Sequence, residues 1–63
     1  MLRELDSVTL NQPLPEGVVP VGANGVVLIV YSQPVLGYEV EFFDSSHRSL
    51  GTFTTNDDHI EKR

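Results

Sequence analysis

Gly25-Val26-Val27-Leu28-Ile29-Val30-Tyr31 is the one long uninterrupted apolar run in the chain, and the fold turns on how it is read. Nearly all its side chains are β-branched or aromatic. Residues of that kind have restricted χ1 freedom and suit a pleated, packed strand better than a helix. The run shows no polar alternation, so a strand with both faces at least partly covered is expected.

Working outward toward the C-terminus, Ser32-Gln33-Pro34-Val35-Leu36-Gly37 reads as a connecting loop. Tyr38-Glu39-Val40-Glu41-Phe42 then alternates cleanly, placing Tyr38, Val40 and Phe42 on an inner face and Glu39 and Glu41 on an outer one. Asp44-Ser45-Ser46-His47 is a polar turn, and Arg48 to Thr54 is a further strand. Leu50 and Phe53 cannot both face inward at strict period two. Gly51 between them signals a bulge that reconciles the pair. Asn56-Asp57-Asp58-His59 reads as one 3₁₀ or α turn capped by Asn56 or Thr55, with Ile60 anchoring a short last strand.

Toward the N-terminus, Asn24-Gly25 signals a tight turn launching the central strand. Asn11 to Gly22 carries three prolines and two glycines, which forbid a regular helix and interrupt any ladder. Its Leu14, Val18, Val19 and Val21 are too apolar for a solvated linker, so a long ordered loop folding back over the end of a barrel is expected. Asp6-Ser7-Val8-Thr9-Leu10 alternates as a half-buried strand, with Val8 and Leu10 inward. The sum is an all-β chain of five short strands, a long proline-rich first loop and one late 3₁₀ turn. That describes a small SH3-like barrel, in which closure removes edges a short chain cannot protect. An open four-stranded sheet is the alternative.

Sixty-three residues suffice for a single domain spanning 1–63, near the size at which one core only just holds. The chain has no cysteine, so neither a disulfide nor a thiolate metal site reinforces that core; this fits a reducing, cytoplasmic setting. The charged opening Leu2-Arg3-Glu4-Leu5-Asp6 does not read as a secretory signal, and no segment reaches membrane-spanning length. Nine acidic against four basic residues give a formal charge of −5. That balance opposes nucleic-acid binding and suits solubility or a basic partner.

The pattern Leu5-Asp6-x-Val8-x-Leu10, then Leu14-Pro15-Glu16 followed by Gly22-x-x-Gly25-x-Val27, then Tyr38-Glu39-Val40-Glu41-Phe42 resembles a family of very short bacterial proteins catalogued as a domain of unknown function. The resemblance spans nearly the whole chain. It implies an SH3-like barrel without established catalytic residues, and a place in two-gene cassettes that include candidate antitoxins. The chain departs from the family pattern at His47, where members tend to have glycine, and lacks the proline usual near Asn56.

Chemistry is sparse. Asp44, Ser45, Ser46 and His47 are the residue types of a nucleophilic triad, but a triad converges from separate elements, and one polar β-turn accounts for them. The Gly22-x-x-Gly25 spacing is too short for a phosphate loop. Asp57, Asp58 and His59, with His47, offer oxygen and nitrogen donors; adjacent residues on one turn seldom face one centre, and a solvated turn is the plainer account. No enzyme activity, metal or cofactor is therefore expected.

If Val26, Leu28 and Val30 line the core, then Val27, Ile29 and Tyr31 lie on the outer face beside Glu39 and Glu41. Either Val18, Val19 and Val21 of the long loop cover that strip, or another chain does. Burying its three side chains would contribute roughly 4–8 kcal/mol, comparable with the stability of so small a domain. The two glutamates either solvate the face or pair with a partner's lysines and arginines. The leading expectation is thus a protein-interaction module whose Val27, Ile29, Tyr31, Glu39 and Glu41 meet a partner with a basic surface. Its form would be an antitoxin-like or regulatory subunit that occludes a co-encoded protein. A homo-oligomer closing on its own strip is the second expectation. Nucleic-acid binding is the third, and it would need Arg3, Arg48, Lys62 and Arg63 gathered around Tyr31 or Tyr38.

Overall fold

The computed structural model describes residues 2–33 and 35–63, so Pro34 of the expected 32–37 loop lies outside the described residues. Five strands follow in order: β1 (Ser7–Leu10), β2 (Asn24–Tyr31), β3 (Gly37–Phe43), β4 (Ser49–Thr55) and β5 (Ile60–Lys62). They form one antiparallel sheet in the order β4-β3-β2-β1-β5. The expected barrel is not closed: β4 and β5 lie at opposite edges and do not pair. Residues 56–59 form a hydrogen-bonded turn, with His59 N–H donating to Asn56 C=O at 3.1 Å and Asp58 N–H to Asn56 Oδ1 at 2.9 Å. The Asn56 cap is as expected; no helix develops among the described residues.

One face of the sheet carries the core. Val8 and Leu10 of β1, Val27 of β2 and Tyr38, Val40 and Phe42 of β3 have no exposed surface, and Ile60 of β5 joins them. A lone sheet offers nothing to cover its inner face, so the cover must come from connecting chain. Leu14 and Val19 of the proline-rich loop supply it, both almost fully buried, while Leu2 packs at the margin. The loop is tied down by Gly22 N–H donating to Leu10 C=O at 2.7 Å and Asn11 N–H to His59 C=O at 2.8 Å. With no barrel end to cover, it lies against the core through Leu14 and Val19, and Val18 and Val21 stay exposed and do not shield the outer face.

Two irregularities set which residues face where. On β4, Phe42 pairs with Gly51 and Phe43 with Ser49, leaving Leu50 as the extra residue beside Gly51, whose φ is +115°. The expected bulge is present, and both Leu50 and Phe53 reach the core, with the Phe53 ring 6.4 Å from Phe42. On β2, Val27 pairs with Val40 and Ile29 with Glu39, so Leu28 is extra there too. This second bulge reverses the expected facing of Val26, Val27 and Leu28, while Ile29, Val30 and Tyr31 face as expected. Period two is broken at Leu28, so Val27 and Val30 both point inward while Val26 and Ile29, opposite Glu41 and Glu39, point outward. Val27 is consequently a core residue and cannot touch a partner.

Asn24-Gly25 is not the turn. Both residues are paired within β2, and the chain reverses earlier, at Pro20–Ala23, where Gly22 has φ +98°. Gly25 answers to a different need: a Cβ there would lie 2.8 Å from Phe42 Cδ1, 2.9 Å from Val40 Cγ1 and 3.0 Å from the Glu41 carbonyl oxygen. Gly25→Ala should therefore cost about 1–3 kcal/mol through overpacking. Urea denaturation measures it, and an unchanged midpoint would contradict the packing described. His47 sits at φ +65°, where the family resemblance implied glycine. His47→Gly should raise the melting temperature by relieving a left-handed backbone worth about 1 kcal/mol. A lower melting temperature would show that the histidine side chain stabilises the turn.

Candidate functional site

The outer face of β2 is apolar and partly open. Leu28, Ile29 and Tyr31 are 38%, 43% and 40% exposed, a continuous stretch interrupted only by the inward Val30. Val35 and Leu36, in the connection to β3, extend the exposed apolar surface. Ile29 lies directly opposite Glu39, and half-buried Val26 opposite Glu41. The carboxylates stand two residues apart on one strand face, about 7 Å from each other. Each has a neighbour on β4: Thr54 Oγ1 donates to Glu39 Oε1 and Ser49 Oγ to Glu41 Oε2, both at 2.8 Å. These bonds hold one oxygen of each carboxylate toward β4 and leave the second oxygen of each free of any side-chain bond among the described residues.

Of the five residues expected to form the strip, Ile29, Tyr31, Glu39 and Glu41 are brought onto one face and Val27 is removed to the core. Leu28 takes its place on the surface. An unbroken apolar run carries no mark of where a bulge falls, so the sequence alone does not show Leu28 turning outward, and nothing in the loop composition around Val35 and Leu36 marks them as part of the same surface.

Asp44 and Asp57 of the two polar clusters are engaged in holding their own turns. Asp44 Oδ1 accepts from the N–H groups of Ser46 and Arg48 at 2.8 and 2.9 Å, and its Oδ2 lies 3.4 Å from Arg48 Nε. The carboxylate thus organises its own turn. Asp57 Oδ1 accepts from Tyr38 Oη at 2.7 Å, pinning the 56–59 turn to the end of β3. Among the described residues no group of three or more His, Asp or Glu comes close enough to hold a metal ion. Tyr38 is sealed in the core and offers no ring for a base to stack on. No helix of the described residues is long and apolar enough to cross a membrane.

An all-β chain with an open five-stranded sheet, an exposed apolar strip and its polar side chains engaged in turns defines a small non-helical domain. A family model matches residues 4–62, that of the domain of unknown function DUF4926, and the chain belongs to this family. No curated protein and no solved structure matches it.

Burial pushes the Tyr38 phenol above its ordinary pKa, and donation to Asp57, with the nearby negative charge of that carboxylate, adds to the effect; a hydrogen bond from the Leu2 backbone opposes it. A group whose folded pKa is raised contributes stability that is complete below its unfolded value and is lost as pH rises through the folded one. Stability should therefore hold up to about pH 10 and decline above it. Tyr38→Phe should remove that alkaline decline in pH-dependent urea melts. An identical alkaline slope in the variant would assign it to other groups.

Proposed function

We propose that this chain is a non-enzymatic protein-interaction module, in which Leu28, Ile29 and Tyr31 dock on a partner protein whose basic surface meets Glu39 and Glu41. The observation that carries this reading is the continuous exposure of three large apolar side chains on one strand, in a chain small enough to need every apolar group for its core. The apolar strip supplies affinity, and the carboxylates steer encounter and register. The net charge of −5 adds a long-range attraction for a basic partner and works against nucleic acid. The most concrete form is a cytoplasmic, antitoxin-like or regulatory subunit that occludes a basic surface of a co-encoded protein. The strand order, with β1 between β2 and β5, supports an SH3-like arrangement opened between β4 and β5.

The charge-reversed double variant Glu39→Lys, Glu41→Lys tests the reading. Immobilised wild-type chain should retain a basic protein from the native host, and the double variant should bind it at least about tenfold more weakly while keeping its β-sheet circular dichroism. Equal retention by the two would remove these carboxylates from the interface.

A further inference from the structure

Beyond the Leu28 bulge, part of β2 has no strand neighbour on the β1 side. Val27 N–H donates to Asp6 C=O at 3.0 Å, and Leu5 N–H donates to Val27 C=O at 2.7 Å, so the backbone of Val27 faces the β1 side. Pairing on that side stops there. The chain turns at Arg3–Asp6, held by Asp6 N–H on Arg3 C=O and by Arg3 N–H on Asp6 Oδ2, with Leu5 at φ +70°. Val40 and Tyr38 have the same parity on β3, and they oppose Val27 and Val30. The N–H and C=O of Val30 therefore also point away from β3, toward the side where β1 has ended. Among the described residues no backbone group outside the β2–β3 ladder bonds to them.

Beside this edge runs an open groove of ≈ 640 Å³ lined by Leu2, Arg3, Glu4 and Val30. An added strand needs a lane about 4.8 Å from its neighbour, and the groove opens beside Val30, the residue whose backbone faces that side. An unpaired edge with exposed apolar side chains is a template for an added strand.

We infer that the Leu28–Tyr31 edge takes up an extended segment of the partner protein by strand addition, and that this segment alternates apolar residues with lysine or arginine. The inference rests on the interaction reading above and specifies how the partner is held. Charge selects the occupant: Glu4 and Arg3 offset each other in the groove lining, Glu39 stands across β2 on the outer face opposite Ile29, and the chain as a whole is at −5, so the surroundings of the edge are acidic. A second copy would bring the same acids together, whereas a basic strand neutralises them. Its apolar residues would extend the strip of Leu28, Ile29 and Tyr31.

The test uses a fluorescein-labelled peptide of alternating valine and lysine, the same peptide N-methylated at alternate residues in either register, and an alternating valine–glutamate peptide. Fluorescence anisotropy against the intact chain should show binding of the first. N-methylation in one of the two registers should weaken it by about tenfold or more, because it deletes backbone donors while keeping charge and apolar content. The valine–glutamate peptide should not bind. Ile29→Lys, which can pair with Glu39 and so keep the fold, should also weaken binding. Equal affinity of the methylated and unmethylated peptides overturns strand addition; if Ile29→Lys still abolishes binding, docking through side chains alone survives. No binding of the basic peptide overturns the inference together with its basic occupant. Concentration-dependent dimers in sedimentation without peptide would assign the edge to a second copy and overturn it as well.

Discussion

The extra residue at Leu28 is the constraint on which the rest of the structure depends. Before it, β2 follows one register and buries Val27 against Val40; after it, the register is shifted by one and Val30 faces inward beside Tyr38. A bulge bends and twists its strand, which lets one sheet curl around a core that has no second sheet to close it. Fully burying each of Val27, Val40 and Phe42 contributes about 1.5–3 kcal/mol, so the register that places them is the one the chain adopts. The same shift turns Leu28, Ile29 and Tyr31 to solvent. Core and candidate interface are two sides of one local irregularity.

The proline-rich loop and the N-terminal segment complete what the bulge begins. Leu14 and Val19 cap the inner face, and Leu2 seals its margin near Tyr38. The loop is used up in that role, which is why Val18 and Val21 remain exposed and the outer strip is left without cover from this part of the chain. The opening turn is held by a polar side chain, Asp6, and by backbone bonds to Val27, so it ends β1's pairing at the point where the bulge starts. Lys62 Nζ lies 3.8 Å from Asp6 Oδ1 and ties the last strand to this junction, a long contact from an exposed lysine to a half-buried carboxylate that contributes little energy.

How much of this was legible in the sequence varies with the signal each segment carries. Tyr38 to Phe42 could be read because a polar residue alternates with an apolar one, and the glutamates end where the alternation puts them. Gly51 could be read because glycine in a strand interior marks a bulge. Residues 25–31 could be read as a strand but not as faces: every side chain is apolar, so both parities look alike and nothing marks Leu28 as the residue that breaks them. Val27 was therefore placed on the wrong side. Asn24-Gly25 has the residues of a turn, yet its glycine is required by the approach of Phe42 and Val40, a tertiary contact that local chemistry does not reveal. Closure between β4 and β5 depends on the total curl of the sheet, which no short segment encodes.

Residue-resolved amide hydrogen exchange of the free chain tests the central claim most directly. If Leu28 is the extra residue, the Val27 amide, bonded to Asp6, should exchange only on global unfolding, and the Val30 amide, facing an unfilled edge, should exchange far faster. Protection of Val30 equal to that of Val27 would mean that the edge is already occupied within the chain. Rapid exchange at Val27 with protection at Val30 would place the register shift elsewhere and contradict the account.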